Sequence, residues 1–360
     1  MSRSAIVQGL AVALCVLANA CAGGEWTDFG AVWSPQNGMI SLQCVVVDMN
    51  RFGETGSVPS AAPLYKMYYS NGVYPECKQV HFATSPDGVT WTFVAALKNE
   101  GKKPAVVYSP QGFGEGNAKY KMWHTIASTE EERHHLSSVR VCESADGLTW
   151  SESVDCVEGD PDRPLLEPRG GPELSNVWNK GSYGVLRVLF NLDGPAAPDP
   201  AKPMANRYVM YYNAYGMDPQ SEADGGPSVG ASVALAISAD GVTWYRVGDA
   251  PVLRCTPKTT GGMVSFADVV KLDGKYLMCL LTDERPTEGI IRRIAQAESL
   301  DGVNWTVVSK DLATLKTDDG SKGSYGLSLA AEPATGTLQV WVSAGDGPGK
   351  LAIKYGRLEQ

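Results

Sequence analysis

The chain has 360 residues, of which 43% are hydrophobic and 20% charged, and it carries a net charge of −9. That is enough apolar material for one large core, and an all-β protein of this length is commonly a single domain. An acidic balance with no cluster of Lys and Arg excludes nucleic acid as a partner and attraction to an anionic membrane surface.

Arg3 is followed by the apolar run Ala5–Leu17 and then by Ala18-Asn19-Ala20. A short basic start, an apolar stretch of this length and an A-x-A site predict a signal peptide over residues 1–20. The run is too short to span a bilayer as a helix; the competing reading is a buried N-terminal helix. Cys21 follows at once, but Ala18 and Asn19 suit a lipoprotein signal poorly. A free secreted or periplasmic protein is therefore expected over one anchored through Cys21. Residues 24–360 read as one domain, expected to be a monomer, and no other segment reaches membrane-spanning length.

That domain is built on a repeat. Ser85-Pro-Asp87-Gly88-Val-Thr-Trp91, Ser144-Ala-Asp146-Gly147-Leu-Thr-Trp150, Ser238-Ala-Asp240-Gly241-Val-Thr-Trp244 and Ser299-Leu-Asp301-Gly302-Val-Asn-Trp305 share the pattern S-x-D-G-x-x-W. Each copy sits between two strand-like runs, and Asp-Gly there predicts a hairpin turn with positive φ at both central residues. The Trp is expected to pack between neighbouring units. Upstream of each copy lies a β-rich segment: Tyr65–Tyr69, Tyr120–His124, Tyr208–Tyr212 and Tyr276–Leu280. A further apolar strand precedes each of these: Ile40–Val47, Ala105–Tyr108, Gly184–Phe190 and Val264–Leu272. Four strands per repeat, A to D, make one blade of a β-propeller. After the fourth box come Tyr325–Ala331, Leu338–Val342 and Leu351–Tyr355, three strands with no box. The segment Gly24–Trp33, with Trp26 in the box-Trp position, resembles the strand after each box and is expected to complete that fifth blade. The fold class is thus an all-β, five-bladed propeller closed by its N-terminal strand. Its blades run over 34–98, 99–168, 169–253, 254–318, and 319–360 with 24–33.

After Cys21 the cysteines are Cys44, Cys77, Cys142, Cys156, Cys255 and Cys279. An even number in an exported chain suggests disulfides, and these six allow 15 connectivities. They fall two per blade, so the expected pairs are Cys44–Cys77, Cys142–Cys156 and Cys255–Cys279. With no C-x-x-C pair, a zinc or redox site is not expected.

Propeller topology puts the C–D hairpins on one face, and the D–A connections and B–C loops on the other. A box repeated in four blades is architectural, so the candidate site belongs on the opposite face. One B–C loop there holds His124 and the run Glu130–His135; adjacent His and Glu are metal-ligand types, but the set lacks metal-ligand spacing and reads as a solvated charged loop in preference to a metal site. Another holds Thr282, Asp283, Glu284 and Arg285: two acids for acid/base work with an arginine to orient a substrate, or a surface ion-pair cluster. The connection after blade two holds Glu167, Arg169, Glu173, Asn176 and Trp178, and a carboxylate beside an aromatic suits a sugar. Tyr183 and Tyr325 lie in matching Gly-Ser-Tyr-Gly motifs at strand A starts and are expected to line the axial channel. Asp268 and Asp48, further along strand A, either point inward or end a strand. No cofactor is expected; a structural Ca²⁺ or other ion in the channel is left open, and nothing in the sequence requires it.

The Y-x-M-x-Y strand followed by S-x-D-G-x-x-W resembles the five-bladed propellers of the arabinanase/β-xylosidase and invertase-like glycoside hydrolases, over nearly all of the domain. The resemblance implies carboxylate-based hydrolysis of a glycosidic bond on the axis. Trp33-Ser-Pro-Gln36-Asn37-Gly38 is similar to the invertase-type entry motif but lacks its Asp, and Lys102-Lys103-Pro104 begins strand A of blade two without an acid. The expected activity is a glycoside hydrolase-like action on a poly- or oligosaccharide, with Asp283, Glu173 and Glu284 as candidate acids. Arg285, Trp178, Tyr183, Tyr325 and His124 are the candidate sugar contacts. The alternative is an exported propeller that binds glycan or protein without cleaving it. A sialidase-like enzyme is disfavoured, because the sialidase box has an extra residue between Asp and Gly.

Overall fold

A computed structural model describes residues 26–33, 40–47, 65–71, 79–114, 116–127, 137–159, 181–217, 219–225, 229–272, 274–284, 291–315, 326–332, 335–345 and 351–358. The expected signal peptide, Cys21 and Asp48 lie outside these residues. The described strands form five sheets in a five-bladed propeller arrangement. Blade one is β2 (Ile40–Val47), β3 (Tyr65–Asn71), β4 (Gln79–Ser85) and β5 (Thr92–Glu100). Blade two is β6 (Lys102–Tyr108), β7 (Tyr120–Ala127), β8 (Ser137–Ser144) and β9 (Val154–Asp155). Blade three is β11 (Gly181–Phe190), β12 (Tyr208–Met217), β13 (Val229–Ser238) and β14 (Thr243–Val247). Blade four is β15 (Met263–Leu272), β16 (Lys275–Glu284), β17 (Ile291–Ser299) and β18 (Thr306–Leu315). Blade five is β19 (Gly326–Ala331), β20 (Leu338–Gly345) and β21 (Leu351–Leu358). On its outer edge β1 (Trp26–Trp33) pairs antiparallel with β21, Trp26 opposite Leu358.

The inner strands touch in a cycle, β2 to β6, β11, β15, β19 and back to β2. Five apolar clusters fill the seams between adjacent blades, so the core lies between the sheets and not on the axis. This follows from the period of two: alternate residues of a strand point to opposite faces of its blade. In β7, Trp123 packs toward blade three and Met122 toward blade one.

The boxes lock these seams. In all four, the Ser hydroxyl accepts the N–H of the box glycine at 2.8 Å. The Asp carboxylate accepts the next two backbone N–H groups at 2.6–2.9 Å. Only the glycine takes positive φ, between 72° and 80°. The expected turn with both central residues at positive φ is therefore not formed. Side-chain capping by Ser and Asp holds the loop instead. Each box glycine offers its carbonyl to the strand B aromatic of the preceding blade. Gly88 accepts from Trp341 at 2.7 Å, Gly147 from Tyr68 at 2.9 Å, Gly241 from Trp123 at 2.8 Å and Gly302 from Tyr211 at 2.6 Å. The box's own Trp indole adds a second donor in blades one, three and four.

Two boundaries differ from the sequence reading. Strand D of blade one runs on to Glu100. In blade two the chain changes partner within two residues. Cys156 N–H still bonds Val139 of its own blade, whereas Val157 N–H bonds Val242 of blade three. The strand β10 (Val157–Glu158) then pairs in parallel with β14, and Glu158 forms an ion pair with Arg246.

The expected disulfides are not formed: Cys44, Cys142, Cys156, Cys255 and Cys279 are buried thiols. The pairing by blade fails because the two members face opposite seams. Cys142 lies between blades one and two, but Cys156 lies between two and three. Cys255 lies between blades three and four, but Cys279 lies between four and five. Cys77 is outside the described residues.

Losing one seam bond in Tyr211→Phe should cost about 1 kcal/mol. Gly147→Ala should cost about 2–3 kcal/mol, through its φ of 77° and a Cβ placed 2.5 Å from the Tyr68 hydroxyl. Urea unfolding checks both: the midpoint should fall while the slope stays constant. The box acids also set an acid limit. Partial burial raises Asp87 and Asp146, but the capping N–H groups outweigh it and hold both at about 2. A depressed native pKa gives stability that is complete above the ordinary value near 4 and lost as pH falls through about 2. The urea midpoint should drop across that window, with a shallower slope against pH in Asp87→Asn.

Candidate functional site: the axial opening

The inner strands run from the D–A face, and β-bulges interrupt their pairing to strand B in four blades. The shifts fall between Ser41 and Cys44, between Lys102 and Ala105, on either side of Val185 in β11, and between Val264 and Phe266. Bulges kink a strand and re-aim its side chains, and they concentrate beside functional sites. Blade five has none between β19 and β20.

The bulge of β6 carries Lys103, the sole non-glycine residue with positive φ (54°) among the described residues. Its N–H donates to the Ser70 hydroxyl of blade one at 3.2 Å. Its ammonium lies 5.8 Å from the Phe266 ring of blade four. The side chain therefore passes in front of blade three, where Gly184 (φ 124°) makes room for it. A Cβ there would stand 3.1 Å from Lys103 Cδ and 2.6 Å from Thr125 Oγ1. Thr125 Oγ1 and Asn213 Oδ1 are buried with no hydrogen-bond partner among the described residues. Asn213 Nδ2 donates to the Val264 carbonyl of the next blade at 3.0 Å. The sequence signal for Lys103 was the Lys-Lys pair opening a strand, noted for lacking an acid. Thr125 and Asn213 carried no signal.

Asp268 is the one acid on the five inner strands, and it is committed to structure. Its carboxylate accepts the N–H groups of Val269 and Leu329, each at 2.7 Å, and the Ser328 hydroxyl at 3.1 Å. Burial pushes its pKa up, opposed by nearby Arg187 and those N–H groups. Ser328 in turn accepts the Val45 N–H of blade one at 2.9 Å. Asp268 thus ties blades four, five and one together at the axis.

Asp283 lies at the end of β16, directly opposite Arg292 of β17. Arg292 Nε donates to it at 2.8 Å, both side chains being at least nine-tenths buried. His124 is 1% exposed and shares a 3.0 Å hydrogen bond with Ser153 of its own blade. Burial, helped by the positive charge of Arg140, lowers its pKa to about 4. Tyr183 lies at the bulge of β11 and Glu284 ends β16; their side chains, and all of Glu173, Trp178, Arg285 and Tyr325, are outside the described residues. Among the described residues no group of three or more His, Cys, Asp or Glu could hold a metal ion, and no helix is long and apolar enough to cross a membrane.

No protein-family model and no curated protein matches this chain. Solved structures do. One, described as a complex of BT0996 with RGII, is 16% identical with a TM-score of 0.62, over 94% of this chain and 93% of that one. A glycoside hydrolase is 17% identical with a TM-score of 0.60, over 92% and 91%. A family 117 glycoside hydrolase of the marine bacterium Zobellia galactanivorans is 13% identical with a TM-score of 0.52, over 93% and 90%. The fold is that of the glycoside hydrolase propellers. At these identities the likeness carries the fold and not the activity.

His124 should stay neutral at pH 5 and above and protonate near pH 4. Because its native pKa is lowered, its contribution to stability is complete above pH 6.5 and lost as pH falls through about 4. Ring-proton NMR against pH checks this. The five buried thiols should react with an aromatic disulfide reagent only after unfolding, with or without prior reduction.

Proposed function

We propose that this protein is an exported, glycoside hydrolase-like propeller acting on a poly- or oligosaccharide at the axial opening opposite the boxes. The observation that carries the reading is Lys103, held in left-handed backbone at a bulge and laid over the axis. Strained residues of this kind mark binding and catalytic sites. Beside it, the oxygens of Thr125 and Asn213 that have no partner among the described residues suit the hydroxyls of a sugar. In this reading Glu173 and Glu284 supply the acid and base, Arg285 orients the substrate, and Trp178, Tyr183 and Tyr325 form the sugar platform. Asp283 enters the chemistry only by leaving Arg292.

The second reading, binding of a glycan without cleavage, is favoured by the fact that Asp268 is taken up by two backbone N–H groups and the Ser328 hydroxyl, and Asp283 by Arg292. Both readings are tested on one panel of aryl-glycosides and polysaccharides, with hydrolysis and binding measured together. Catalysis predicts a loss of kcat of about 100-fold or more in Glu173→Gln, and a KM raised about tenfold with little change in kcat in Lys103→Ala. Binding without turnover supports the second reading, and neither binding nor turnover removes both. Asp283→Asn should lower stability by about 3 kcal/mol by stranding Arg292; full stability with lost turnover would instead place Asp283 in the chemistry.

A further inference from the structure

The other end of the axis holds a separate cavity of about 530 Å³, within the usual size of small-molecule sites. Its walls come from the C-terminal halves of all five inner strands. Those halves lead into the starts of strand B, which pair with the first residue of each box, as Tyr65 with Ser85 and Tyr276 with Ser299. The cavity therefore opens on the box face, away from Lys103.

Its walls mix apolar and polar groups: Val47, Val107, Val188, Val269 and Ala330 each come from a different blade, and Tyr108, Tyr276, Asn191 and Asn206 also line it. Among them stands one partly buried cation, Arg187, while Lys271 is exposed at the rim. The carboxylate nearest to Arg187, Asp268 Oδ1, is 3.6 Å from its Nε, beyond hydrogen-bond reach. The oxygens of Asp268 are already taken by two backbone N–H groups and the Ser328 hydroxyl. Arg187 Nε and Nη1 are buried with no hydrogen-bond partner among the described residues. The thiol of Cys44 lies beside the guanidinium, and a thiol is a weak acceptor. The asparagines at the rim are committed: Asn191 caps its own turn, and Asn206 Nδ2 is shared among three carbonyls.

We propose that this cavity binds a small monocarboxylate with an apolar body, its carboxylate on Arg187 and its body along the valine-lined walls. A guanidinium presents paired donors that match a carboxylate. The site is independent of the glycan reading at the opposite opening.

Hexanoate is the probe, with hexanol and sulfate as controls, and binding is read by calorimetry on the full-length protein. Saturable binding of hexanoate, with hexanol and sulfate at least about tenfold weaker, is expected. Arg187→Lys, which keeps the charge but loses the fork, should weaken hexanoate about tenfold. Ala331→Phe, at the rim of the cavity, should abolish it while Arg187 and Asp268 stay intact. Equal binding of hexanol and hexanoate, unchanged binding in Ala331→Phe, or no saturable binding would each overturn the proposal. If Arg187→Lys fails to fold, Ala331→Phe and the controls decide.

Discussion

The carbonyl of the box glycine is the point on which the assembly rests. A blade cannot bury both of its faces alone, so it must find its neighbour at a fixed offset. Apolar contact between two faces is not directional, whereas a hydrogen bond to a carbonyl at the end of a capped loop is. At four seams, an aromatic on strand B of one blade donates to the box glycine of the next, always in the same sense around the ring. The Ser and Asp caps are what keep that carbonyl in place. Conserving the loop from blade to blade therefore conserves a docking geometry, and leaves the opposite face free of the same demand.

The exception supports this account. The position held by Tyr68, Trp123, Tyr211 and Trp341 is Cys279 in blade four, and the blade that follows has no box. With no glycine carbonyl to reach, the donor is absent and a small apolar side chain fills the seam. Cys279 is thus a packing residue whose identity follows from its neighbour's missing loop, and not half of a disulfide.

Much of the fold was legible because it is written in short, repeated, local signals: Tyr-x-Met strands, Asp-Gly boxes, and alternation along Ile40–Val47. What was not legible depends on which side of a sheet a residue faces. Counting cysteines per blade ignores that Cys142 and Cys156 point into different seams. Asp-Gly named the turn but not its mechanism, since capping by Ser and Asp leaves only glycine at positive φ. The site was harder still. Asp283 looked available, but its register sets it opposite Arg292. Arg187 is one charge inside an apolar run, and its strand was read only as apolar. Lys103 was seen as a missing acid and not as a re-aimed cation, because a bulge has no signature in a single sequence.

The pairing of β1 with β21 puts the earliest described strand and the last one in the same sheet. The order of synthesis then constrains assembly: blades one to four lie within contiguous stretches of chain, apart from the two-residue graft of β10 onto blade three, and can acquire structure as they emerge. The earliest strand must wait, its edge unsatisfied, for β21 to arrive. Contacts so distant along the chain are slow to form and leave open edges exposed meanwhile. A folding helper that shields an unpaired strand would act here, on a segment made early and among the last to find a partner.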